Sequence, residues 1–134
     1  MEQQPTDGYT SLEQSKLLVS LGVDPYTADM HHYIVGDEYC YTSWHYYDND
    51  MSISDGYIPC WSLNALVNMF PTGENAPVFT LTRCGTDIAT EQHNSDWYAE
   101  WESDDTYLVF NDPTTVGAVV KLLVKLIQDK RIKL

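Results

Sequence analysis

Basic residues are almost absent from the middle of this chain. Between Leu17 and Val120 there is one, Arg83, against sixteen carboxylates. Over all 134 residues, 20 acids face 7 bases, for a formal charge of −13. DNA, RNA and anionic membranes recruit Lys and Arg to displace counterions, so the scarcity argues against direct contact with nucleic acid or membrane. A basic protein, a cation or a neutral ligand stays open as partner. Cysteine is scarce too. Cys40, Cys60 and Cys84 are odd in number and widely spaced, which argues against a disulfide framework. They are expected to be buried or inert thiols. No stretch approaches the roughly 18 apolar residues of a membrane span. Residues 1–10 (MEQQPTDGYT) hold neither a basic n-region nor an apolar run, so no secretory signal is expected. These absences together predict a soluble, reduced, cytoplasmic protein.

What the chain does have is apolar and aromatic mass. It is 43% hydrophobic and 13% aromatic, too rich for intrinsic disorder despite the charge. Its length suits one domain with its own core. Residues 1–10 are expected to be a flexible lead, and 11–134 a single α+β domain. Ser11 and Gln14 have capping-box spacing, and Glu13 sits in the first turn of the helix they open. Leu12, Ser15, Leu18, Val19 and Leu21 give its apolar face; Gly22 and Asp24-Pro25 end it. Met30 to Tyr47 is rich in β-formers around Gly36-Asp37, which predicts a hairpin of strands 30–35 and 38–47. Asp48 to Gly56 has loop composition. Ser62 is the expected N-cap of a short second helix, with Leu63, Leu66, Val67 and Phe70 at i, i+3, i+4, i+7 and Pro71 as its stop.

From Ala76 to Phe110 the pattern returns to β. Val78 to Cys84 forms one run, with a turn at Gly85-Thr86 and a return strand Ile88-Ala89-Thr90. Trp97, Ala99 and Trp101 share a strand face, and Tyr107 to Phe110 forms a last strand. Asp112 as cap and Pro113 as first residue open a final helix. Its core stripe is Val116, Val119, Val120, Leu123 and Ile127. Five of the seven bases lie in residues 121–133, placed to complement the helix dipole and to pair with the acidic middle. The expected order is α-β-β-α-β-β-β-α, an antiparallel sheet of about four to five strands packed by three helices.

Three segments carry a resemblance: SLEQSKLLVSLGVDPYTADM (11–30), IPCWSLNALVNMFP (58–71) and NDPTTVGAVVKLLVKLIQDKRI (111–132). In this order the chain resembles a group of small uncharacterised proteins encoded by phages, prophages and mobile elements of Bacteroides-type gut bacteria. Their typical signatures are a Ser-Leu-Glu-Gln-Ser-Lys helix ending in Leu-Gly, a Pro-x-Trp-Ser-Leu-x-x-Leu helix, and a final helix opened by Asn-Pro or Asp-Pro. The shared positions are caps and core, so the resemblance implies a fold and a bacterial-host setting but no activity. Val116-Gly117-Ala118 departs from it, and Gly117 costs about 1 kcal/mol in a helix interior.

Chemical motifs are weak. His31, His32, His45 and His93 have no Cys-x-x-Cys, His-x-x-x-His or His-Glu-x-x-His spacing with the cysteines, so no metal or other cofactor is expected. Asp48, Asp50, Ser52 and Asp55 mimic part of a calcium loop, but Ile53 stands where such a loop needs Gly. Cys60 precedes a helix start, which favours a thiolate, yet no Lys or Arg lies near it in sequence. No catalytic residue is assigned and no enzyme is expected. The expected function is that of a non-enzymatic phage or mobile-element accessory protein that binds another protein, one with a basic surface. The interaction surface would comprise Tyr39, Tyr41, Trp44, Tyr46, Tyr47, Asp48, Asp50, Trp97, Trp101, Asp104 and Asp105. Two alternatives are an acidic nucleic-acid mimic blocking a host defence or DNA-processing protein, and a small-molecule or sugar-binding module using exposed Tyr and Trp. Because like charges repel across the whole surface, the urea midpoint should rise on going from about 20 mM to about 500 mM sodium chloride. A midpoint that falls or stays fixed would contradict that expectation.

Overall fold

The computed structural model describes residues 8–83, 86–87, 92–93 and 96–132. Helix α1 (Leu12–Ser20) begins where Ser11 and Gln14 close a reciprocal cap. Ser11 Oγ accepts from the Gln14 N–H at 3.2 Å, and Gln14 Oε1 accepts from the Ser11 N–H at 2.9 Å. Gly22, at φ 94°, takes the chain out of the helix in a conformation that disfavours other residues. Asp24 then caps a one-turn 3-10 helix, Pro25–Thr27. Strands β1 (Met30–Val35) and β2 (Tyr39–Ser43) form the expected hairpin, followed by β3 (Tyr57–Cys60) and α2 (Leu63–Val67), capped by Ser62. Beyond α2 come β4 (Val78–Arg83), the two-residue strands β5 (Thr86–Asp87) and β6 (Gln92–His93), β7 (Trp97–Glu102), β8 (Tyr107–Asp112) and α3 (Thr115–Gln128).

The fold is α+β, but the expected single sheet is two. Sheet I has strand order β2-β1-β3 and sheet II β4-β7-β8, both antiparallel; β5 and β6 form a separate ladder. The observed order is α-β-β-β-α-β-β-β-β-β-α. Strand β3 was hidden in the sequence by Pro59, which reads as a strand breaker. It is tolerated for a geometric reason. The Ile34 N–H donates to the Gly56 carbonyl at 2.8 Å, so the even residues of β1 turn their backbone groups toward β3. His32 pairs with Ile58 and Met30 with Cys60, and Pro59 falls between them with its nitrogen facing away from β1. The second hairpin strand also stops at Ser43 rather than at position 47, leaving His45 to Tyr47 in a loop. The expected return strand at Ile88–Thr90, Cys84 and the side chain of His93 lie outside the described residues.

Two hydrophobic layers result. The main core lies between α3, α2 and the inner face of sheet II, with Trp61, Leu66, Ala99, Trp101, Val119, Leu122 and Leu126 buried. A smaller set, Leu12, Met30, Ile58 and Cys60, is buried outside that cluster, where α1 packs on β3. Residues 8–10, counted above with the flexible lead, belong to this layer; residues 1–7 lie outside the described ones. Tyr9 bridges Ser62, the Leu63 N–H donates to the Gly8 carbonyl at 3.1 Å, and Thr10 is fully buried.

Helix α3 is capped by Thr114, not by Asp112. The Thr114 hydroxyl accepts from the Gly117 N–H at 2.9 Å. Asp112 stands one step back, accepting from the Thr114 N–H (3.0 Å) and hydroxyl (2.9 Å) and pairing with Lys121 at 3.1 Å. Burial alone would raise the Asp112 pKa. The two Thr114 donors and the Lys121 ammonium outweigh it and hold the carboxyl below its ordinary value. This arrangement explains Gly117. A Cβ there would collide with the Asp112 carboxylate and crowd the Thr114 hydroxyl. Gly117→Ala should therefore destabilise the protein by about 1–2 kcal/mol, against the usual gain of about 1 kcal/mol for Gly→Ala in a helix. In an Asp112→Ala background the same change should cost less, as read by urea unfolding in a double-mutant cycle.

Candidate functional site

In β1 the odd and even residues face opposite ways. The even face carries Met30, His32 and Ile34, with Thr42 and Cys40 of β2 and Ile58 and Cys60 of β3 opposite them. It is pinned by a polar knot. His32 is fully buried; its Nε2 lies 2.9 Å from the Thr10 carbonyl and its Nδ1 2.8 Å from the Thr42 hydroxyl. A carbonyl can only accept, so Nε2 carries the proton and Nδ1 accepts from Thr42. Burial lowers the His32 pKa, opposed in part by the bond to Thr10. Thr10 also pairs its backbone with Trp61, meets Ser15 Oγ at 2.7 Å through its hydroxyl, and accepts at 3.4 Å from the Cys60 thiol.

With that face covered, the odd face points away, and it is aromatic. Tyr41, Tyr33 and Tyr57 lie in register across the three strands. Tyr33 and Tyr57 stack at 4.5 Å between ring centroids, and Tyr39 stacks on Tyr41 at 6.3 Å. His31 packs against both Tyr57 and His45 at 5.9 Å, and His45 stacks on Tyr46 at 4.6 Å. A run of rings thus leads from the hairpin to the loop after β2, joined between Tyr41 and Tyr33 by strand register. Its outer members are open to solvent: Tyr41 is 59% exposed and Tyr39 56%. Past Tyr46 the run ends in a depression of about 400 Å³ lined by Tyr26, Tyr46, Tyr47, Asp48 and Asn49. Exposed Asp37 and Glu38 lie at the hairpin turn, with Asp48 and Asp50 beyond the other end.

The residues expected on an interaction surface divide accordingly. Tyr39, Tyr41 and Tyr46 share this run of rings, and Asp48 lies at its end. Trp44, 71% exposed, packs edge-on against Tyr9. Tyr47 and Trp101, at 5% and 3% exposure, are core residues, which corrects their place on the surface. Consecutive Tyr46 and Tyr47 do point opposite ways, one out and one in. Trp97, half-buried, is on sheet II, where Arg83 lies over its ring at 5.7 Å. Asp104 and Asp105 belong to the β7–β8 turn; Asp105 meets Arg131 at 3.4 Å, so those acids are apart from the tyrosine face. Exposed Tyr26 and His45, and half-buried Tyr33, Tyr57 and His31, also belong to this region and were missed; Tyr57 packs at its inner side against the main core. The signal for Tyr33 and Tyr57 was strand parity, unreadable while β3 was unrecognised.

The other constellations resolve into structure. Burial pushes the Cys60 thiol up to about 12, with the Thr10 hydroxyl opposing, so it is no thiolate nucleophile at neutral pH. Burial also raises Cys40. Among the described residues no group of three or more His, Cys, Asp or Glu could hold a metal ion. Asp48 and Asp55 of the calcium-like loop accept from the Asp50 N–H and the Ser52 hydroxyl. Among the described residues no helix is long and apolar enough to cross a membrane. A second cleft, of about 380 Å³, runs between the Val23–Asp29 turn and α2, with Asn64 and Asn68 on its wall and Met69 and Ile132 at its apolar side. No family model, curated protein or solved structure matches the chain.

The buried histidine gives a pH test. The unfolded chain takes up a proton on this residue near pH 6.5, whereas the folded protein does so only at lower pH. Stability should therefore be flat above that pH and fall as pH drops below it. A His32→Gln variant should start less stable and lose most of this slope; equal slopes in urea unfolding would refute the assignment.

Proposed function

We propose that this protein is a non-enzymatic binding module, and that the tyrosine face of sheet I docks a protein partner with a basic surface. The observation that carries this is the row Tyr41–Tyr33–Tyr57, exposed at Tyr41 and half-buried at Tyr33 and Tyr57, extended by Tyr39, His31, His45 and Tyr46, with acids at both ends. Tyrosine supplies large contact area at low entropic cost, and its hydroxyl keeps that area compatible with water before a partner arrives. Exposed carboxylates at Asp37, Glu38 and Asp50 favour a basic partner and speed its approach. The resemblance to phage and mobile-element proteins fits an accessory role of this kind in a bacterial host.

The nucleic-acid mimic reading has less support. Asp24, Asp29, Asp48, Asp55, Asp105 and Asp112 all accept hydrogen bonds from nearby backbone N–H groups or hydroxyls. That local role accounts for their positions without a phosphate-like array. The test is affinity capture from lysate of a Bacteroides-type host, comparing the tagged protein with a Tyr39→Ala/Tyr41→Ala variant. Both side chains are exposed, so the variant should keep its thermal midpoint within a few degrees. A defined basic protein should be retained by the unaltered chain, be lost from the variant, and elute as salt is raised. Retention by both proteins, or an acidic partner insensitive to salt, would overturn the reading. Displacement of the partner by duplex DNA would shift the case to the mimic.

A further inference from the structure

We infer that the depression at the end of the tyrosine run is a cation cage, seating one arginine or lysine side chain of the basic partner. This rests on the docking role proposed for sheet I and names its anchor point. Two exposed phenol rings, Tyr26 and Tyr46, line the depression, and Tyr47 lies beneath with its ring 6.0 Å from that of Tyr26. Aromatic faces attract cations through their quadrupoles. Asp48, half-buried, contributes the charge. Its Oδ1 accepts from the Asp50 N–H at 3.0 Å, which fixes the carboxylate and leaves Oδ2 for a ligand. Asn49 adds an amide at the rim. Among the described residues no lysine or arginine lines the depression, so none of them competes there for its carboxylate. Nothing in the wall favours an anion. A neutral sugar would find stacking surface and polar groups, but it would gain nothing from the fixed carboxylate or from the surrounding negative potential. A guanidinium or ammonium uses all three features at once: the rings, the carboxylate and the field.

The arrangement also has a geometric logic. His45 stacks on Tyr46, and His45 in turn packs on His31 at the end of β1. The cage is therefore continuous with the sheet face, so one extended basic segment can span both. The larger face would supply area, and the cage would fix register.

The probe is N-acetyl-arginine methylamide, which carries the guanidinium and no carboxylate, titrated into the full chain at low salt. Amide and tyrosine-ring shifts are followed by NMR. Shifts should concentrate at Tyr26, Tyr46 and Asn49 and saturate. The citrulline analogue, equal in shape but uncharged, should bind at least about fivefold more weakly, because the charge-assisted and cation–π contacts are lost together. Asp48→Asn keeps the Oδ1 acceptor and the turn while removing the charge; it should weaken the arginine probe by a similar factor, and Tyr46→Ala should do so as well. Raising salt from about 20 mM to about 300 mM should weaken binding further. Equal binding of the citrulline analogue, saturation by methyl glucoside with none by arginine, or shifts confined to other residues would overturn the cage. The two proposals fail separately. If the captured partner is lost from Tyr39→Ala/Tyr41→Ala but kept in full by Asp48→Asn, the face stands and the cage falls. If the arginine probe saturates while partner capture ignores the Tyr39→Ala/Tyr41→Ala change, the cage stands and the face reading falls.

Discussion

The register of sheet I depends on one buried histidine. His32 is held from one side by the carbonyl of fully buried Thr10 and from the other by the hydroxyl of half-buried Thr42. Each of these bonds adds only about 1 kcal/mol net, but leaving a buried polar group unpaired costs about 1–3 kcal/mol. The knot therefore acts as a selector more than as a stabiliser. A slip of one residue between β1 and its neighbours would turn every side chain to the other face. It would bury the tyrosines of the odd face against α1 and take His32 away from the Thr10 carbonyl and the Thr42 hydroxyl. Ordering residues 8–10 and aiming Tyr33, Tyr41 and Tyr57 outward are thus two results of a single constraint.

The second organising factor is where the few bases go. The three ion pairs among the described residues use Lys121, Lys125 and Arg131, all in or just after α3. They pair with Asp112, Asp129 and Asp105, so compensation is concentrated at α3 and the β7–β8 turn. Arg131 also lies over the Trp101 ring at 5.9 Å, closing that end of the core. The loops around β1, β2 and the tyrosine run receive no such partner among the described residues. Lys16 of α1 acts on Cys40 from the covered side of sheet I, so among the described residues the acids at Asp37, Glu38, Asp48 and Asp50 stay without an ion pair beside the aromatic face. That asymmetry bears on which partner the face suits, because long-range attraction acts on encounter while ring contacts act on residence.

Much of this was legible in the residues, and the failures have definite causes. The capping box at Ser11, the Ser62 cap, the β1–β2 hairpin and the buried stripe of α3 follow from local chemistry that depends on near neighbours only. The pairing of basic C-terminal residues with the acidic middle followed from charge distribution. Division into two sheets did not, because it depends on which strands meet, and a proline in an edge strand looks like a proline in a loop. The role of Gly117 was read backwards for a related reason. In sequence it is a helix-interior glycine with a cost, whereas in space it makes room for a carboxylate that braces the cap. Tyr47 and Trp101 were assigned to the surface because aromatic density does not reveal which ring turns inward. Tyr47 lies in the loop after β2 and Trp101 on β7, so the side each ring takes is set by the tertiary packing and not by a pattern readable along one strand.

The choice of tyrosine on the open face is itself informative. A three-stranded sheet with α1 on one side has little apolar mass to bury on the other. Had positions 33, 41 and 57 been Leu or Ile, the exposed patch would invite edge and face association between copies of the chain. Had they been Lys or Glu, the face would remain solvated and offer little contact energy. Tyrosine lies between: stacking of Tyr33 on Tyr57 and of Tyr39 on Tyr41 shields part of each ring, and a phenol hydroxyl is compatible with water as well as with a partner. A surface built this way carries only a small cost when empty and a large area when covered. Purely structural strands could have used β-branched residues such as Val or Thr, which sheet II does use on its outer positions Val78, Thr80, Thr82 and Val109. Sheet II also exposes one tyrosine, Tyr107 of β8, but it stands among Val, Thr and Glu, whereas sheet I sets tyrosines in register across all three of its strands.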